Sequence, residues 1–186
     1  MKISILLPYK ENYSTNYPGA VSIFVSSVIK KSIFKKNITV YGSTIFKNIL
    51  SKNYVNINLK KNLFSSQTKA YLSSFKKLLS KKKTDLIEIH NRPNYVDSLL
   101  DLKKKIVLYF HNDPTTMLGS SSINDRIKLV KICSKIVFNS NWSKKKFLTN
   151  LPENIHNSKK LIVIYQSTSK KKINLKKKGK NYFICR

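Results

Sequence analysis

Apolar positions along this chain come in short blocks separated by polar stretches. KISILL (2–7), ITVYG (38–42), DLIEIH (85–90), KIVLYFH (105–111), KIVFNS (135–140) and LIVIYQS (161–167) are rich in β-branched and aromatic residues and too short for helices, so they predict strands. NYVNINL (53–59) alternates weakly and predicts an edge strand. Between these runs the apolar spacing turns helical. AVSIFVSSVIKKSIF, from Ala20, places Val21, Phe24, Val25, Val28 and Ile29 together. SSQTKAYLSSFKKLLSKKK (65–83) sets Tyr71, Leu72, Phe75, Leu78 and Leu79 against lysines, and YVDSLLDLKK (95–104) predicts a short helix. SINDRIKLVKIC (122–133) is expected to turn Ile127, Val130 and Ile132 or a near neighbour inward, and NWSKKKFL (141–148) starts a helix for which Ser140 or Asn141 fits the N-cap. Most of the strands are continuous apolar runs, and they alternate with helices. That order predicts an α/β fold, a Rossmann-like doubly wound parallel sheet covered on both faces. Residues 1–169 are expected to form this domain, 170–180 a Lys-rich linker, and NYFICR (181–186) the first strand of a further domain.

In an open parallel sheet ligands bind outside the carboxyl ends of the strands, and right-handed crossovers put those ends on one edge. The residues expected there are Pro8-Tyr9-Lys10-Glu11-Asn12, His90-Asn91-Arg92, His111-Asn112-Asp113, Asn139-Ser140 and Gln166-Ser167-Thr168. Each has an ordinary structural reading. A strand-end histidine can satisfy backbone groups, Asn112-Asp113-Pro114 makes a turn, and Pro18-Gly19 starts a helix. Two histidines at equivalent strand tips in successive units point instead to a site. The chain carries no GxGxxG fingerprint, no Walker A loop and no GxSxG turn, and His156 sits in a polar loop.

Composition adds one large fact. The 186 residues include 37 basic and 8 acidic side chains, a net charge of +29. That suggests a polyanionic partner, either nucleic acid or an anionic membrane. Arginine, however, stands only at 92, 126 and 186, and Lys, Asn and Ile abound as in the products of AT-rich genes. The shortage of Arg argues against specific nucleic-acid recognition. An anionic lipid surface stays compatible. The 65–83 helix, with Tyr71, Phe75 and Leu79 opposite Lys76, Lys77 and Lys81 to Lys83, is either a membrane-facing element or an ordinary outer helix of the sheet. Cys133 and Cys185 form no pair and no metal spacing, so they read as buried thiols in a reducing compartment, and no metal is expected. No run spans a bilayer, and MKISILLP breaks at Pro8 before it could serve as a signal peptide. The expected location is cytoplasmic.

The segments HNDPTTM, ICSKIVFNSNWSKKKFL and LIVIYQST, in that order, together with NYPGAVSIFVSSVI and DLIEIHNRP, resemble the amino-terminal domain of group 1 (family 4) glycosyltransferases of the GT-B fold. The chain departs from the family pattern in having one glycine in the first loop and no Asn-Gly after its last strand. The resemblance implies retaining transfer of a sugar from a nucleotide-sugar to an envelope or lipid-linked glycan acceptor. No metal or cofactor is implied beyond that donor substrate. His111 would then reach the donor sugar, Gly19 would let the loop backbone approach the diphosphate, and Asn12, His90, Asn91, Arg92, Asn112 and Asp113 would line the acceptor side. It also implies a carboxyl-terminal donor-binding domain beyond these residues, contact with the inner membrane face, and no turnover by the 186 residues alone.

Two other readings compete. One is a non-catalytic basic module holding a polyanion. The other is a different α/β enzyme using His111 as general base, with Glu88 or Asp113 as its partner carboxylate.

Overall fold

The computed structural model describes residues 1–59 and 66–166. Seven strands form one sheet: β1 (Ile3–Leu6), β2 (Ile38–Gly42), β3 (Tyr54–Asn56), β4 (Leu86–His90), β5 (Lys105–Phe110), β6 (Lys135–Phe138) and β7 (Leu161–Val163). Their spatial order is β3-β2-β1-β4-β5-β6-β7, and every pairing is parallel. The sheet is therefore the Rossmann-like α/β arrangement, with β3 at an edge. The strand order reverses between β1 and β4, which is where such sheets open a crevice.

Helices α1 (Ala20–Lys31), α2 (Gln67–Leu79), α3 (Ile123–Ile132), α4 (Asn141–Leu148) and the single turn α5 (Glu153–His156) complete the fold. Successive strand residues point to opposite faces, and the core divides accordingly. On one side Leu6, Ile87, Ile89, Ile106, Leu108, Phe110, Ile136 and Phe138 pack with residues of α2, α3 and α4. On the other, Ile5, Leu7, Ile38 and Val40 pack under Val21, Val25 and Ile29 of α1. On β4 and β5 this second face carries Glu88, His90 and Tyr109 beside the aliphatic Leu86 and Val107. The pattern of β4 is thus mixed, and the departure from a pure apolar run marks the site.

Some expectations are corrected and others stand. The segment expected as a helix at 95–104 is two 3₁₀ turns, Pro93–Tyr95 and Asp97–Leu102, ended by Lys103 in the left-handed region at φ 50°. In α3 Val130 is buried as expected and Ile127 and Ile132 pack half-buried against the core, while Arg126 and Leu129 are buried in addition. In α1 Val28 is exposed. His156 ends α5, and its Nε2 lies 3.1 Å from the Leu151 carbonyl. Tyr71 and Phe75 of α2 have no solvent exposure and Leu79 has 6%. The apolar face of that helix is part of the core and is not available to a membrane. Ser140 caps α4, its Oγ accepting from the Ser143 N–H at 3.1 Å. Cys133 is a free, fully buried thiol, pushed up to about 12 by burial. The expected linker (170–180), the further strand (181–186) and Cys185 lie outside the described residues.

Arg126 is the least expected core residue. It is 4% exposed, and among the described residues no carboxylate is bonded to it. Its fork donates to three carbonyls: Ser120 (3.2 Å), Ser121 (2.9 Å) and Thr149 (2.8 Å). It thereby ties the loop before α3 to the end of α4. Gly119 precedes that loop at φ +88°, and a side chain there would run into the backbone of Asn94. A lysine cannot reproduce a planar fork to three acceptors, and buried carbonyls left unpaired carry a penalty of about 1–3 kcal/mol. Arg126→Lys is expected to lower unfolding free energy by about 2 kcal/mol, measured by urea denaturation. An unchanged midpoint would show that the clamp contributes nothing.

Candidate functional site

A cleft of about 360 Å³ opens at the carboxyl ends of the strands, over the point where the strand order reverses. Pro8 and Glu11 border it from the loop after β1, and Ala20 and Val21 from the start of α1. Asn91 and Arg92 come from the tip of β4, His111 and Asn112 from the tip of β5, and Gln166 from beyond β7.

The tips of β4 and β5 are held together by backbone and side chain alike. Their register sets His90 beside Tyr109. Asn91 then turns into the left-handed region at φ 51°, a conformation Asn tolerates better than most residues. That turn lets its N–H donate to the Tyr109 carbonyl (2.8 Å) and its Oδ1 accept the His111 N–H (2.7 Å). From the other side Asn139 Nδ2 donates to the His111 carbonyl at 2.7 Å. The Arg92 guanidinium folds back onto the Asn91 carbonyl at 2.8 Å.

The imidazoles are fixed as firmly as the backbone. His111 Nε2 lies 2.8 Å from His90 Nδ1, and His90 Nε2 lies 2.8 Å from Glu88 Oε1. On the cleft side, His111 Nδ1 lies 2.6 Å from Gln166 Nε2. Tyr109 stacks on both rings, at 4.5 Å from His111 and 5.4 Å from His90, and Phe24 of α1 meets His111 edge-on at 4.9 Å. Burial, together with the neighbouring His90, depresses the His111 pKa to about 3, so His111 is uncharged at neutral pH. The Tyr109 phenol, pushed up to about 12 by burial and by the Glu88 charge, stays protonated.

At the other wall, α1 begins at Gly19 without a side-chain cap and without an acidic residue in its first turn. Glu11 supplies the missing anion from the β1 loop, accepting the Ser22 N–H at 3.0 Å. Gly19 is what makes room, because a Cβ there would collide with the Glu11 carboxylate.

The expected site residues therefore take different places. His111, Asn91, Arg92 and Asn112 line the cleft. His90 lies behind His111 with no solvent exposure. Gly19 stands at its rim, pressed on Glu11. Asn12 is spent on its own loop and on the loop after β2, with Nδ2 donating to the carbonyls of Asn16 (2.7 Å) and Tyr17 (2.6 Å) and Oδ1 accepting from Thr44. Asp113 caps the turn Pro114–Thr116 by accepting the N–H and O–H of Thr115. Burial would raise its carboxyl, but these two donors outweigh it and hold the pKa below its usual value. Glu11 and Gln166, expected only as part of the rim, and Glu88, expected only as a partner carboxylate for His111, turn out to hold the cap of α1 and the two ends of the imidazole chain. The available signal for Glu88 was its spacing, two residues before His90 and so on the same face of β4. Among the described residues no group of three or more His, Cys, Asp and Glu is placed to hold a metal ion, and no helix is long and apolar enough to cross a membrane.

No protein-family profile matches the chain, and no curated protein matches it in sequence. Solved structures do. The UDP-GlcNAc 2-epimerase from Neisseria meningitidis, bound to UDP-GlcNAc, aligns with a TM-score of 0.55 at 15% identity over 88% of this chain and 46% of its own. The Anabaena protein Alr3699/HepE, in complex with UDP, aligns at 0.57 and 14% over 89% and 44%. Sucrose-phosphate synthase from Thermosynechococcus elongatus aligns at 0.59 and 10% over 90% and 49%. The chain thus spans under half the length of these proteins. At such identities the likeness establishes the fold alone, the Rossmann-like domain of the GT-B architecture.

Two outcomes follow from this geometry. His111 is held uncharged in the fold but takes a proton near 6.5 when unfolded. Its contribution to stability is therefore complete above that value and is lost as pH falls toward about 3. Denaturation midpoints measured from pH 7 to pH 4 should fall, and His111→Asn should flatten the slope; an unaltered slope would contradict the assignment. Gly19→Ala and Glu11→Ala each remove the same cap and are expected to cost about 1 kcal/mol. The double substitution should cost little more than either alone, because both act through one contact.

Proposed function

We propose that this chain is the amino-terminal, acceptor-side domain of a sugar-nucleotide-using glycosyltransferase. In this reading a sugar is transferred with retention from a nucleotide-sugar to an envelope or lipid-linked glycan, and the donor-binding domain lies outside these residues. The observation that carries the reading is the cleft at the strand-order reversal, into which the tip of β5 delivers His111 Nδ1. Support comes from the solved structures of like fold, two of which hold UDP or UDP-GlcNAc.

Within the cleft the groups divide by chemistry. His111 Nδ1 and the Asn112 amide suit the hydroxyls of a sugar ring. Arg92 supplies positive charge at the β4 wall for a phosphate or acidic sugar. Glu11 occupies the N–H end of α1, the position where a diphosphate would be stabilised by a helix terminus. A diphosphate could use that terminus only by displacing Glu11. Gly19 accordingly serves here to admit a carboxylate. Peripheral contact with an anionic inner membrane face belongs to the same reading. It rests on the net charge of +29 alone, since the apolar face of α2 is buried.

The test is saturation-transfer NMR on the full chain with UDP-N-acetylglucosamine. The sugar-ring protons should receive more saturation than the uridine protons, and His111→Ala should weaken binding roughly tenfold, as expected for one lost hydrogen bond. Saturation confined to the uridine, or binding indifferent to His111, would overturn the reading. Assayed alone with the same compound, these 186 residues should show no transfer, and turnover would refute that part.

A further inference from the structure

The hydrogen-bond chain Glu88–His90–His111–Gln166 has a direction that its end groups decide. A carboxylate only accepts, so the bond of 2.8 Å at Glu88 Oε1 needs a proton on His90 Nε2. With one proton on each ring, His90 Nδ1 is then an acceptor. His111 Nε2, 2.8 Å away, must donate to it. That leaves His111 Nδ1 as a bare lone pair facing the cleft, and the group that meets it is the amide nitrogen of Gln166, a donor, at 2.6 Å. Every contact in the chain satisfies this single arrangement.

The one competing arrangement adds a second proton to His90. His90 would then donate at both nitrogens, and His111 would donate into the cleft. That proton would sit on a ring with no solvent exposure, in a protein already carrying +29. The groups facing the two rings are Glu88 on β4, Tyr109 on β5 and Phe24 on α1, with Glu11 and Arg92 lining the cleft into which His111 opens. Of these only Glu88 touches His90 with an opposite charge, and it is already satisfied by the singly protonated ring. The contacts at both nitrogens of each ring fix their orientation, since turning either ring over would put carbon where these nitrogens meet their partners.

We propose that Glu88 and His90 are positioning residues that fix His111 as the Nε2–H tautomer, so that the cleft offers an obligate hydrogen-bond acceptor. At that point the site takes a hydroxyl or amide N–H of its ligand and rejects an ionised phosphate oxygen, which has no proton to give. The tautomer assignment stands on the chain itself. That the ligand group is a sugar hydroxyl rests on the function proposed above. Gln166 holds the place of that hydroxyl until a ligand displaces it.

Long-range ¹H–¹⁵N correlation on the ¹⁵N-labelled full chain at pH 7, without ligand, reads the proton on each ring nitrogen. His90 and His111 should each be protonated at Nε2 and bare at Nδ1. Gln166→Ala removes only the cleft-side donor and should leave both tautomers unchanged. Glu88→Gln keeps the side chain's size but can donate as well as accept, so a second His111 tautomer, protonated at Nδ1, should appear. Glu88 is partly exposed, and a retained thermal midpoint confirms that this variant folds. A Nδ1-protonated His111 in the unaltered chain overturns the proposal, as does a tautomer set by Gln166 or one indifferent to Glu88. Because no ligand is used, these results stand apart from sugar binding. A chain with the expected tautomers that fails to bind UDP-N-acetylglucosamine would refute the function and not the lock.

Discussion

The parallel pairing of β4 with β5 is the contact on which the site depends. Its register places His90 beside Tyr109 and lets Asn91, turned left-handed, grip both the end of β5 and the His111 backbone. Two strand tips are thereby welded into one platform. Because strand side chains alternate, the same register that sends Ile87, Ile89, Leu108 and Phe110 into the core sends Glu88, His90, Tyr109 and His111 to the opposite face. Burial of one face fixes the chemistry of the other. A slip of one residue would exchange the two sets and destroy core and site together.

Much of this was legible before folding. The short β-branched runs marked six of the seven strands among the described residues and a weakly alternating segment marked the edge strand β3; their order with the helices implied the parallel sheet and the rim on which His111 lies. What escaped the local pattern was made by distant partners. Arg126 enters the core because carbonyls at Ser120, Ser121 and Thr149 meet it there, and no periodicity announces that. The segment at 95–104 has helical composition, yet it folds as two 3₁₀ turns that begin at Pro93 and end at the left-handed Lys103. Asn12 and Asp113 stand at strand ends like true site residues and yet are consumed by loop contacts. Glu11 could have been anticipated from a deficit. Helix α1 starts with no capping side chain and no acidic residue, so its free N–H groups needed an anion from elsewhere.

The charge of the molecule and the chemistry of its cleft are separate matters. Lysines dominate the surface, but the groups bordering the cleft include one carboxylate, one guanidinium, amides and an uncharged imidazole. A cleft of that composition selects by hydrogen-bond polarity and shape, and the surface field acts at longer range, on approach. Phe24 and Tyr109 cover the faces of the imidazole pair, and His90 has no solvent exposure, which strengthens the bonds His90 makes to Glu88 and His111.

Gln166 lies just past the end of β7, on the polypeptide's way out of the sheet, and the carbonyl of Ile164 before it is anchored by the Tyr109 hydroxyl at 3.1 Å. The polypeptide leaving the sheet therefore rests an amide on the imidazole, and a ligand group that takes the same lone pair must displace it. By the reciprocity of linked equilibria, whatever free energy holds Gln166 at His111 is subtracted from the binding of that group.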